Sequence, residues 1–154
     1  MMSRVVVFLF AFLAFTSSLV YAAPAAEIAA RQVGDIQCNV DRLSIVGDLA
    51  GLQKTLKTLS GQVTDDATAS AGIESVTSSV SGAQSAIGTI AKALLTGQTA
   101  PAAARDQVKS NLLAAQSALA GITSSDPAVT SNLQKATTQL TNAGTAGEGV
   151  VANC

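Results

Sequence analysis

The chain offers few side chains that could carry out chemistry. It contains no histidine, so a Ser-His-Asp triad, a Cys-His pair and a His-based metal site are all excluded. Paired carboxylates could still divide acid and base work. Asp65 and Asp66 are the only adjacent pair, and their place ahead of a helical pattern suits capping of free backbone N–H groups. Asp41 and Asp48, seven residues apart, share one side of a helix, although solvent exposure beside Arg42 accounts for them equally well. Lys54 and Lys57 read as solvated surface, and Arg105, Asp106 and Lys109 as an exposed first-turn charge group. These residues predict a non-enzymatic protein with no catalytic residue, no cofactor and no metal ligand.

The same inventory excludes several kinds of binding. Residues 1–22 hold all four Phe (Phe8, Phe10, Phe12, Phe15), the single Tyr21 and both Met. Residues 23–154 therefore have no aromatic ring on which a sugar or an unpaired base could stack. They carry eight Lys/Arg against ten Asp/Glu, which is not the positive footprint a nucleic-acid partner requires. The pair Gly47 and Gly51 lacks the strand and lysine of a phosphate loop, and close helix packing explains it better. No N-x-S/T sequon occurs. Binding through apolar helix stripes survives, with a filled aliphatic core as the alternative.

The elements that would position such stripes begin after a targeting segment. Residues 1–22 have one early positive charge, Arg4, then the apolar run "VVVFLFAFLAFTSSLV", then small residues around Val20-Tyr21-Ala22. That pattern predicts a secretory signal peptide cleaved after Ala22. The other reading is an uncleaved anchor, for which the run is short against the roughly 20 residues of a spanning helix. Residues 23–35 read as a flexible N-terminal arm, with or without a short helical turn, and residues 36–154 as the bundle domain.

Within that domain Ile45, Leu49, Leu52, Leu56, Leu59 and Val63 recur at spacings of four and three, which predicts a helix over about 36–62. Ile36, Val40 and Leu43 repeat the spacing in a shifted phase, and both sets point inward if the buried stripe is wide. Asp65 or Asp66 caps a second helix with the seam Ala69, Ile73, Val76, Val80, Ala83, Ile87, Ile90 and Leu94. Gly72, Gly82 and Gly88 lie along it, and either they permit close helix contact or the helix bends or splits near Ser81-Gly82, one bent helix being the expectation; Gly97 stops it. Thr99 or Ala100 caps a third helix with Pro101 in its first turn, facing inward through Ala104, Val108, Leu112, Ala115, Leu119 and Ile122. Asp126 caps and Pro127 opens a fourth, with the stripe Val129, Leu133, Ala136, Leu140 and Ala143. "GTAGEG" ends it and "VVANC" follows as a tail.

No strand alternation appears. The expectation is an all-α, antiparallel four-helix bundle, or five-helix if the second helix or the arm divides. Up-down-up-down topology brings the end of the fourth helix to the start of the first. An even cysteine count behind a secretory signal then predicts a Cys38–Cys154 bridge closing the domain. The alternatives are two free thiols or an intermolecular link through the tail.

With these motifs in view, the chain resembles small secreted proteins of fungi, especially basidiomycetes. The resemblance lies in "DIQCNVDRL", "LLTGQTAPAAARDQV", "SSDPAV" and the final "VVANC", with the two end cysteines, across nearly all of residues 23–154. More distantly, its secretory signal, "APA" start and Ala/Ser/Thr-rich amphipathic helices look like the hydrophobic surface-binding protein A and cell-wall galactomannoprotein family. That resemblance implies an all-helical extracellular or cell-wall protein that binds hydrophobic surfaces or lipid-like ligands. The chain departs from that family in its terminal cysteine pair and its lack of aromatics, and no ligand-binding residue transfers. The alternative is a secreted effector-like or signalling protein acting through protein contacts. Neither reading involves nucleic acid or a transmembrane anchor after cleavage.

Overall fold

The computed structural model describes residues 35–154. The expected signal peptide over 1–22 and the expected arm up to residue 34 lie outside the described residues.

Four helices form where the periodicity and the caps place them: α1 (Ile36–Gln62), α2 (Ala67–Leu95), α3 (Ala102–Ala120) and α4 (Pro127–Asn153). Three begin at an aspartate whose side chain takes up an orphan backbone donor. Asp35 accepts from Gln37 N at 2.8 Å, Asp66 from Ala69 N at 2.9 Å, and Asp126 from Ala128 N at 2.7 Å. Pro127 follows in the first turn of α4, where its missing N–H leaves nothing unbonded. The start of α3 corrects the sequence expectation by one residue. Pro101 is itself the cap, in extended geometry, and its carbonyl accepts from Ala104 N and Arg105 N.

The end of α2 shows why Gly97 stops it. Gly97 takes a φ of 71°, its N–H bonds to Leu94 O, and Gln98 N bonds to Ala93 O. Those crossed bonds need a left-handed residue that only glycine adopts without a Cβ clash. Before that stop α2 is one continuous helix through Gly72, Gly82 and Gly88. Two of these glycines admit neighbours. A Cβ on Gly72 would lie 2.7 Å from Ile122 Cγ1, and one on Gly82 would lie 2.8 Å from Asn111 Oδ1.

The helices pack as two pairs, α1 with α4 and α2 with α3, joined by thinner α1–α2 and α3–α4 contacts. Polar contacts show that the first pair is antiparallel. Asp41 meets Asn153, Thr55 meets Gln139, and Gln62 meets Asn132, so the partner's number falls as α1 advances. Inside the bundle one aliphatic cluster runs from Ile45 and Leu49 through Val76, Val80 and Leu112 to Leu140 and Ala143. It is made almost wholly of the inward residues that the spacing marks. Thr55 is buried among them, with its hydroxyl bonded to Gly51 O and Gln139 Oε1. Among the described residues no buried side-chain nitrogen or oxygen lacks a partner, as a stable core requires.

Two further expectations need correction. Ile36, Val40 and Leu43 do not point inward: they are 80%, 48% and 72% exposed. Nine residues at about 100° each put Ile36 on the opposite side of the helix from Ile45, so one stripe cannot contain both. In addition, "GTAGEG" does not end α4, which continues to Asn153. Gly144, Gly147 and Gly149 each cost about 1 kcal/mol relative to Ala. The offset comes from contacts that a sequence read one helix at a time does not show. A Cβ on Gly149 would stand 2.6 Å from Asp41 Oδ2, so its absence lets α1 and α4 close together.

Candidate functional site: the disulfide pole

The bridge lies where α1 begins and α4 ends. Cys38 and Cys154 are joined across a sequence separation of 116, with Cα atoms 5.2 Å apart, a distance ordinary for a disulfide. Cys38 is fully buried. Beside it Asp41 accepts from Gln37 Nε2 at 2.9 Å and from Asn153 Nδ2 at 2.8 Å. Its neighbour Arg42 is partly buried, and the loss of water pulls its guanidinium below the ordinary pKa.

This geometry settles the candidate carboxylates. Both oxygens of Asp41 accept hydrogen bonds, Oδ1 from Gln37 within α1 and Oδ2 from Asn153 at the end of α4. Asp48 sits two turns further along α1, about 10 Å away at 1.5 Å rise per residue, too far to share a proton. Asp65 and Asp66 are exposed in the turn before α2, and Asp66 is its cap. Lys54, Lys57, Arg105, Asp106 and Lys109 are all exposed. The structure does not bring these groups together around a common point. The glycine pair divides: Gly51 lies against Gln139, whose Nε2 would be 2.6 Å from an added Cβ, whereas Gly47 faces open space.

The stripes that would line a lipid pocket are packed against one another. Leu49, Leu52, Leu56, Leu59 and Leu140 are 0–1% exposed and belong to one cluster. A cleft of about 580 Å3 runs between the end of α3 and the start of α4, past Leu119, Ile122, Leu133 and several threonines. A smaller one of about 160 Å3 lies over Gly51 and Thr55. Both open to solvent, so each is a groove on the surface.

The apolar feature the surface does carry is at the disulfide pole. Ile36, Val40, Leu43 and Val46 at the start of α1, Leu95 at the end of α2 and Val151 at the end of α4 are all exposed. Antiparallel packing brings these helix ends to the same pole. Leu113, on α3, is the one large exposed aliphatic among the described residues that lies elsewhere. Isolated apolar side chains on a surface are ordinary, and these six share one end of the bundle. Sequence reasoning missed this group by assigning Ile36, Val40 and Leu43 to the core. The half-turn between Ile36 and Ile45 was the available signal.

No described helix is long and apolar enough to cross a membrane. No family model, no curated protein and no solved structure matches the chain.

Proposed function

We propose that the protein is a secreted, non-enzymatic extracellular or cell-wall protein that adsorbs to hydrophobic surfaces or lipid-like aggregates through its disulfide pole. The observation that carries the reading is the concentration of exposed aliphatic side chains there: Ile36, Val40, Leu43, Val46, Leu95 and Val151. Removing apolar area from water is favourable by roughly 25 cal/mol per Å2, so several such side chains meeting one surface give a useful driving force. The packed seam favours adsorption over carriage of a single ligand inside the bundle. A disulfide-closed domain suits an oxidising extracellular setting, and the signal-like segment at residues 1–22 supplies the route.

A quartz-crystal microbalance coated with alkyl chains tests this directly. The protein with Leu43→Asn and Val151→Asn should adsorb several-fold less than the parent, with an unchanged circular dichroism spectrum. Equal adsorption by parent and variant, or none by either, would sink the reading. Native mass spectrometry with fatty acids and sterols should show no stoichiometric complex.

A further inference from the structure

We propose that the groove between α1 and α4 above Gly51 binds a phosphate group, held between the ammonium groups of Lys54 and Lys135. The groove has a volume of about 160 Å3, and both lysines line it without a single carboxylate among its walls. Residues 23–154 carry eight Lys/Arg against ten Asp/Glu, so the groove reverses the overall balance of charge. Neither lysine has an acidic residue three or four positions away on its own helix, the spacing at which a neighbouring carboxylate neutralises it. A concave site lined by one sign of charge concentrates ions of the other sign.

The floor between the lysines is fixed by the protein itself. Thr55 is 4% exposed, and its hydroxyl bonds Gly51 O and Gln139 Oε1, which holds the Gln139 side chain across the floor. A Cβ on Gly51 would lie 2.6 Å from Gln139 Nε2, so the glycine is what lets that amide lie there. Asn132, on the α4 wall, is tied to Gln62 at 3.0 Å. These two cross-links also set the register of the helices. In it Lys135 comes level with Leu59, about 7 Å along the axis from Lys54. Flexible four-carbon stems let both heads swing to one point between the walls, and lysine holds phosphate as a point charge. A phosphate dianion matches both ammonium groups, whereas one carboxylate leaves the second unmatched. The groove includes none of the exposed aliphatics of the disulfide pole, so this site does not depend on the adsorption reading.

The same contacts serve a free phosphate ion and a phosphate ester, and one titration separates them. Isotope-labelled protein is followed by amide nuclear magnetic resonance while inorganic phosphate or glycerol phosphate is added, with ionic strength held constant by potassium chloride. Saturable shifts are expected at Gly51, Thr55, Lys135 and Gln139, and none in a potassium chloride blank. Tighter binding of glycerol phosphate assigns the groove to an ester, and tighter binding of inorganic phosphate to the free ion. Lys54→Gln and Lys135→Gln should each weaken binding about fivefold, as loss of one solvated charge contact does, and the double variant should abolish saturation. Lys92→Gln, near the end of α2, should leave binding unchanged. All three lysines are exposed, so the circular dichroism spectrum of each variant should match the parent. Shifts that never saturate, or binding that weakens equally in Lys92→Gln, would overturn the proposal.

Discussion

The two ends of the bundle are built differently. At the far pole, where α1 turns into α2 and α3 into α4, aliphatic side chains close the core. Val63, Ile73, Ile122 and Val129 are 2–9% exposed, Gly72 makes room for Ile122, and Asp66 and Asp126 cap the helices that leave. At the near pole the large aliphatics Ile36, Leu43, Leu95 and Val151 face outward. What holds that end is the Cys38–Cys154 bond and the Asp41–Asn153 contact. Where side chains bury enough area, hydrophobic contact suffices. Where they are turned outward, a covalent bond and a charged hydrogen bond hold the helix ends together. The near pole can thus present apolar surface without coming apart.

Removing the bond is the severest way to break this contrast. A loop of 116 residues is assigned about 5 kcal/mol by chain-entropy reasoning. Cys38→Ser with Cys154→Ser should therefore lower the urea-unfolding free energy by several kcal/mol. Hydrogen exchange should rise first at the end of α4 and the start of α1. A loss under about 1 kcal/mol, or exchange rising first at the far pole, would show that the near pole does not depend on its bridge.

The next test compares two leucines of the same helix. Leu56 is 1% exposed and Leu43 is 72% exposed. Leu56→Ala removes packed atoms and leaves a cavity, which should cost about 3 kcal/mol. Leu43→Ala should cost less than about 0.5 kcal/mol, as surface changes do. Chemical denaturation of both variants reads the difference. A large cost at Leu43 would mean that its face is already buried by something that stabilises the fold.

Much of this fold was legible because its signals are local. The spacing of Ile45 through Val63 and of Val129 through Ala143, and the Asp-Pro start of α4, each concern one helix at a time. The seam of α2 fades at its end, where Ile90 and Leu94 are only half-buried, because the near pole is where the core runs out. What was not legible depends on two helices meeting. Gly149 remains helical because Asp41 of α1 lies against it, and no window of α4 contains that fact. The candidate site was misread for the opposite reason. Ile36, Val40 and Leu43 have helical spacing, but their half-turn offset from the Ile45 stripe, which puts them on the other side of the helix, is taken for a wide stripe.

A smaller effect tests the polar clasp. Asn153→Ala removes the donor to Asp41 Oδ2, and a hydrogen bond to a charged group contributes about 1.5–3 kcal/mol when buried and less here, where it is partly exposed. A loss near 1 kcal/mol is expected in the oxidised protein. In the Cys38→Ser, Cys154→Ser background the end of α4 is already released, so the same change should have almost no effect. Such non-additivity is what neighbouring contacts in one assembly show. Equal losses in the two backgrounds would mean that the clasp and the bridge act independently.

The smallest effect separates two helical glycines that propensity treats alike. Replacing either Gly47 or Gly149 with Ala removes the backbone freedom of glycine in the unfolded chain, a gain of about 0.5–1 kcal/mol where the new methyl fits. Gly47 has nothing within 4 Å of an added Cβ, so Gly47→Ala should stabilise by the full amount. At Gly149 the methyl would stand 2.6 Å from Asp41 Oδ2. Asp41 would have to swing away and give up Asn153, which offsets the gain and leaves a change near zero or a small loss. The two melting curves should therefore differ even though both substitutions lie in helix interiors. Equal stabilisation would mean that Asp41 moves without cost, and the near pole would then rest on its disulfide alone.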